Sequence, residues 1–437
     1  MKKYFVFLLC GLVMFGLGYE SCSKDDPDPI VIDDPVEPPE PPEPPDPELP
    51  VLAGSISIGA VNYTVDSTYT EKIEDGFWYL YVQLKNENKP LIIHSLRYTT
   101  GTSGYSVETW IGNDSITGKE TPEAMVNRYE QAGRQVRMAI NGGFFGTEAG
   151  GTPMSTEVMN GVMAFPPSTD EPQPIIGFDE QNRPYMGYVQ MNATVTTADS
   201  RVLNISSVNG SRWADHLVLY NSYMGKYTKT NEWGTEVLCT PVMAQWERLS
   251  SHINVRCRVE RVESMNAKGN MEIQQGKIVL SGHGVAHEYL STLQQGDYVY
   301  VTADYFLESD PNITSTILRN VVSGYNIVLQ ENNIVEPDPA LIPDMPLVTN
   351  NHPRTSAGFS ADKSHVFFTV VEGRREGLAA GVTTKELAQV MKYLGAANAI
   401  NLDGGGSSCL MIDKSTKNYC TDGAQRAVTD GFAIIGK

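Results

Sequence analysis

The 437-residue chain is 41% hydrophobic and 9% aromatic, enough for one large folded domain or two ordinary ones. Its 33 Lys and Arg face 52 Asp and Glu, a formal charge of −19 with no basic run. Binding to nucleic acid through a general cationic face is therefore excluded, because phosphate contacts need clustered Lys and Arg; a local anion site is not.

Lys2-Lys3 precede an apolar stretch from Tyr4 to Gly18, about as long as a signal-peptide core and too short to span a bilayer. Cys22 follows in Ser21-Cys22-Ser23-Lys24-Asp25-Asp26, which resembles a bacterial lipoprotein cleavage region, with Tyr19 where a small aliphatic residue is usual. The expectation is a signal peptide over 1–21 and acylation of Cys22, so that a lipid is the sole membrane attachment at the outer membrane or cell surface. Ordinary secretion or periplasmic release is the alternative. Residues 23–50 hold ten acids against Lys24, and 11 of the 26 prolines. Such a segment buries nothing and favours extended polyproline II, so 22–50 reads as a stiff acidic linker.

Residues 51–134 form an N-terminal β-rich region, with strand alternation at Ser55 to Ile58, Trp78 to Val82 and Leu91 to Ile93. A helix follows, with Thr121 as N-cap, Pro122 at the first position, Gly133 as terminator and Met125, Tyr129 and Ala132 as its buried stripe. The strand Val136 to Ile140 then runs into Asn141-Gly142-Gly143-Phe144-Phe145. The plan recurs downstream: Thr383 to Glu386 is a capping box, and Leu387, Val390, Met391 and Leu394 make an apolar stripe. Gly395 ends that helix, and a strand leads into Asp403-Gly404-Gly405-Gly406-Ser407-Ser408. Residues 177–330, with strands such as Tyr185 to Ala198 and Ile253 to Val262, read as a β-rich insertion. The fold class is α+β: a mixed, strand-rich sheet core, a few covering helices and that inserted lobe within a domain spanning 135–437.

Cys10 leaves with the leader and Cys22 is the anchor, so Cys239, Cys257, Cys409 and Cys420 remain, with three possible pairings. Cys409 and Cys420 flank a hairpin, which favours 409–420 and 239–257. His283 and His287 sit at helical spacing before Glu288, but Gly282 and Gly284 argue against a helix there and against zinc. The aromatics from Trp213 to Tyr223 suit a core, a rim or a sugar-stacking face.

Glycine runs after buried strands let a ligand approach the backbone, and successive N–H groups can make an anion nest. Gly404, Gly405, Gly406 and Ser407 offer this beside the Asp403 carboxylate, while Asn141, Gly142 and Gly143 offer a second close approach. His352-Pro353-Arg354-Thr355-Ser356-Ala357-Gly358 adds a cation, Arg354, suited to clamping a phosphate or to a structural ion pair. It precedes a strand and Glu372-Gly373-Arg374-Arg375.

Asn141 to Phe145, Arg354 to Gly358, Glu386-Leu387-Ala388 and Asn401 to Ser408, in this order and spacing, resemble the phosphodiester glycosidase family over roughly 135–437. Glu372-Gly373-Arg374 stands where that family usually has Asp-Gly-Arg, and Val321-Val322-Ser323-Gly324 replaces a more usual Gly-Gly. The resemblance implies a hydrolase that cleaves the sugar C1–O bond of a glycosyl 1-phosphodiester, with an N-acetylhexosamine donor in a glycan or envelope polymer. It also brings in Arg426, which matches a family arginine. A phosphate monoester is already a good leaving group, so anion stabilisation should outweigh its protonation. Arg354, Thr355 and the glycine loop suit the phosphate, and Asp403 or Glu372 the anomeric carbon. No cofactor is expected, and a divalent ion beside Asp403 is left open. The rival readings are a surface lipoprotein that binds glycans without cutting them, and a phosphodiesterase that cleaves P–O.

Overall fold

The computed structural model describes residues 54–146, 151–168, 170–242, 252–266, 268–307, 318–340, 342 and 344–437. The expected leader, Cys22 and the acidic linker lie outside them. Three sheets dominate, as the expected α+β class requires.

Polar–apolar alternation and tight turns build the first, nine-stranded sheet from antiparallel neighbours, Ser55–Ile58 through Leu91–Thr99 in chain order. Phe77–Lys85 shows the pattern, burying Phe77, Tyr79, Leu80, Val82 and Leu84. The sheet continues through His365–Val371, Arg354–Phe359, Asn398–Asn401 and Asn326–Gln330. The boundary expected at 134/135 therefore does not divide the sheets, because Leu91–Thr99 pairs directly with His365–Val371.

A five-stranded sheet holds Val136–Asn141 between Leu410–Ile412 and Asp430–Gly436, with Tyr105–Ile111 beyond. Its apolar face packs on the first sheet around Phe368, Ile400, Leu402 and Phe432, and Phe178 meets the Phe432 ring edge-on at 5.2 Å. The inserted lobe is a twelve-stranded sheet running from Glu157–Met159 to Asn320–Ser323, earlier at both ends than the 177–330 of the sequence reading.

Both capped helices form. Thr121 Oγ1 accepts the Ala124 N–H at the start of Pro122–Gln131, and Thr383 and Glu386 close both halves of the capping box on Thr384–Leu394. Each cap contributes on the order of 1 kcal/mol. Glu386 also accepts Lys89 Nζ at 2.6 Å, which makes it a structural carboxylate. Leu387, Val390, Met391 and Leu394 are buried as expected. Ala132 is not: it follows the last helical residue and is exposed, and Val126 fills the stripe with Met125 and Tyr129.

Val285–Leu290 is helical despite its glycines, because Gly284 takes the N-cap position with φ 59°, a left-handed geometry that suits glycine. His283 Nδ1 accepts the Asp215 N–H at 3.2 Å and His287 Nδ1 lies 2.7 Å from Thr235 Oγ1. Among the described residues no group of three His, Cys, Asp or Glu is placed to hold a metal ion. Cys239, Cys257, Cys409 and Cys420 are free thiols, although Cys409 and Cys420 touch through their side chains.

Candidate active site

A buried asparagine ties the site together. Asn141 ends an apolar strand with its amide fully enclosed, so each polar atom needs a partner. Its Nδ2 donates to Asp403 O at 2.7 Å, and its Oδ1 accepts Thr355 Oγ1 at 2.9 Å and Cys409 N at 3.0 Å. Main-chain bonds reinforce the join: Asp403 N donates to Gly142 O, Leu402 N to Thr355 O and Gly142 N to Asp430 O, all at 2.9 Å. Residues 141–142, Thr355 and 402–403, far apart in the chain, thus meet at these strand ends.

Carboxylates gather behind this junction. Gly143 N donates to Asp430 Oδ1 and Thr429 Oγ1 to Asp430 Oδ2, both at 2.6 Å, and a Cβ on Gly142 would overlap the Asp430 carboxylate. Glu157 is wholly buried; its Oε1 accepts Ser323 N at 3.3 Å while Oε2 has no partner among the described residues. Burial pushes Asp430 up to about 6, against the bonds from Thr429 and Gly143. Burial and then the Asp430 charge raise Glu157 well above the usual range. Asp403, partly exposed at the front, is pushed up to about 7 by desolvation, with Asp430 adding to the push while the Ser407 hydroxyl and Arg426 pull against it. Asp430 and Glu157 were missed from sequence; the one signal was an acid opening the otherwise apolar strand 430–436.

The cations differ from expectation. Arg354 is buried and aims away from Asp403: Nε donates to Val382 O at 3.0 Å and Nη2 to Asn350 O at 2.9 Å. Burial, with Arg374 nearby, lowers its pKa to about 10. The strand explains this, since alternation that turns Thr355 toward Asn141 must turn Arg354 to the opposite face. Two exposed arginines flank the glycine loop instead. Arg374 reaches Gly405, where a Cβ would lie 3.2 Å from its Nη2, and Nη2 is 3.2 Å from His352 Nδ1. Arg426 Nη1 donates to Ser407 Oγ at 3.3 Å while Nε and Nη2 pair with Asp422.

The nest is largely occupied. Gly405 N donates to Pro353 O, Ser407 N to Gly404 O, and Gly404 N to the Asp403 carboxylate. Gly406 has a steric role, as any Cβ there would meet Arg426 and Asp422. Glu372 is committed elsewhere: Oε1 accepts His94 Nε2 at 3.0 Å and Tyr419 N at 2.8 Å, and Oε2 accepts Arg375 Nη1 at 2.5 Å. Burial works to raise its pKa, but these partners outweigh it and hold the carboxyl low. It is a structural node among charged neighbours, with no bond to the glycine loop.

A carboxyl pushed toward neutrality sits on a glycine loop that two exposed guanidiniums flank, an arrangement suited to holding an anion. Residues 251–435 match the family model described as phosphodiester glycosidase, so the resemblance carried by the motifs is shown across that span. Asn141 and Glu157 precede the matched residues. An uncharacterized SPβ prophage-derived protein of Bacillus subtilis, YomE, is 36% identical over 83 residues, 19% of this chain and 13% of that protein. Two solved structures share the fold. A hypothetical protein from Synechocystis has TM-score 0.66 at 15% identity, covering 88% of this chain and 71% of its own. An exported protein from Burkholderia pseudomallei has TM-score 0.59 at 20% identity, covering 79% and 74%.

Proposed function

We propose that this phosphodiester glycosidase-like protein hydrolyses the C1–O bond of a glycosyl 1-phosphodiester, with an N-acetylhexosamine as the donor sugar. The observation that carries the reading is the convergence of Asp403, Arg374 and Arg426 on one glycine loop. Arg374 and Arg426 hold the phosphate oxygens and stabilise the charge that grows as the leaving group departs. Ionised Asp403 stabilises positive charge at C1 and takes a proton from the incoming water. The water oxygen bonds to C1, the C1–O bond breaks, and its electron pair leaves with the phosphate monoester. A base poised near 7 suits this task at neutral pH. Arg354, Asn141 and Thr355 hold the loop rather than touch the substrate. We further propose that Cys22 is acylated and that the 22–50 segment carries the domain away from a membrane surface.

The test is hydrolysis of methyl N-acetylglucosamine-1-phosphate diester in heavy-oxygen water by the purified chain. The label should enter the sugar, kcat/KM should rise with pH through about 7 as Asp403 ionises, and Asp403→Asn should lose about 10²–10⁴ in rate. Label in the phosphate would move the cleavage to P–O, and inertness toward a panel of sugar phosphodiesters would remove the enzymatic reading.

A further inference from the structure

Away from the glycine loop, the inserted lobe and the segments at 116–117 and 152 enclose a cavity of about 460 Å³, within the range of small-molecule sites. Thr117, Asn209, Arg212, Trp213, Lys229 and Asn231 are among its lining residues. Its charge is anomalous. In a chain with 52 acids and 33 bases, the charged residues lining it are Arg212 and Lys229, with no acid among the described lining. Exposed aromatic surface lies at and beside it: Trp213 in its lining is 68% exposed, and Trp233, two residues past the lining residue Asn231, is 60% exposed. An indole left this exposed forgoes much of the burial that its apolar area favours. Beside a polar, cation-lined cavity, such faces suit contact with a ligand that has apolar faces of its own.

The loops that carry these groups are fixed in advance. Arg212 Nη1 donates to Ser281 Oγ at 2.7 Å, and Nη2 to Asn231 Oδ1 at 2.6 Å and Asn231 O at 2.9 Å. This joins the loop of Trp213 to the loop of Trp233, whose N–H donates to Asn231 Oδ1 at 3.2 Å. Lys229 adopts φ 55° with its N–H on Asn270 Oδ1 at 3.0 Å, and its Nζ donates to Thr117 Oγ1 at 3.0 Å rather than to a carboxylate. Glu236 lies behind Arg212 and offsets its charge, so Lys229 supplies the net positive charge.

We propose that this cavity binds a segment of an acidic oligosaccharide. The apolar C–H faces of sugar rings match exposed indoles, their hydroxyls match the Thr and Asn lining, and a carboxylate or sulfate on the sugar matches Lys229. A nucleic acid fits poorly, since one net cation on a chain of charge −19 cannot offset a phosphate backbone. The site is separate from Asp403 and does not depend on the hydrolytic reading.

The test titrates the intact protein with tetragalacturonate, a heparin-derived tetrasaccharide and neutral maltotetraose, read by calorimetry and tryptophan fluorescence. At least one acidic tetrasaccharide should bind and maltotetraose should bind at least tenfold more weakly. Trp213→Ala, Trp233→Ala and Lys229→Met should each weaken binding about tenfold, equivalent to ~1.4 kcal/mol, while hydrolysis of a small sugar phosphodiester stays unchanged. The proposal is overturned if no acidic tetrasaccharide binds, if maltotetraose binds equally well, or if the three variants bind like the wild type.

Discussion

Replacing Asp430 by Asn should make the protein gain stability relative to wild type as pH rises from acid to neutral. Asp430 is 1% exposed, and burial raises its pKa from 3.8 to about 6. A folded state that holds its proton to higher pH than the unfolded chain loses stability as pH climbs between those two values, and the loss is complete above the folded value. Each pH unit in that window is worth about 1.4 kcal/mol, so two units give about 3 kcal/mol. The groups facing Asp430 act in the same sense, since its charge also raises Glu157 and Asp403. Asparagine keeps an oxygen for the Gly143 N–H, so any defect of fit is a constant offset, and the diagnostic is the slope. Urea unfolding of both proteins from pH 4 to pH 8 should show Asp430→Asn gaining about 3 kcal/mol over wild type between pH 4 and 6, then holding level. A flat difference across that range, or one that favours wild type as pH rises, would refute the reasoning.

Arg374→Ala and Arg426→Ala should each cut kcat/KM for a charged diester by 10-fold or more, the worth of one charge-assisted bond, without lowering the melting temperature. Arg354→Ala should do the reverse: the Asn350 carbonyl loses its donor, the Val382 carbonyl keeps only the His352 N–H, and the emptied buried site brings the cost to about 3 kcal/mol in urea unfolding. Gly431→Ala should prevent folding or cost about 3 kcal/mol or more, because its Cβ would strike the Ile140 carbonyl and lie 2.5 Å from Trp110 Nε1. Gly406→Ala meets only the ends of the exposed Arg426 and Asp422 side chains, so stability should stay within ~1 kcal/mol while turnover falls with the displaced Arg426. Cys409 and Cys420 already touch, so mild oxidation should join them before Cys239 and Cys257, as read by non-reducing peptide mapping.

Local chemistry made much of this legible in the sequence. Thr121, Thr383 and Glu386 announce their helix starts, since capping depends on residues three apart. Asn141 and Asp403 were legible because glycines after buried strands signal close backbone approach. Arg354 misled because its residue type was read without the two-residue alternation that sends it to the far face from Thr355. Arg374 was visible as a motif residue, but its approach to Gly405 depends on a left-handed turn at φ 57°. Glu157 and Asp430 were hidden for a stronger reason. Their juxtaposition requires strand 320–323 to sit against both the lobe and residues 142–143, and pairings that distant leave no local trace.

The strand Asp430–Gly436 lies between Val136–Asn141 and Tyr105–Ile111, which precede it by most of the chain. A polypeptide emerging amino-terminus first therefore leaves a gap in the middle of that sheet until its closing strand arrives. That strand brings Asp430 with it, so the acid cluster is complete only once the middle of the sheet is filled. A chain cut short before residue 430 would carry Asn141, Arg374 and Asp403 but lack both the central strand and the carboxylate that accepts the Gly143 N–H.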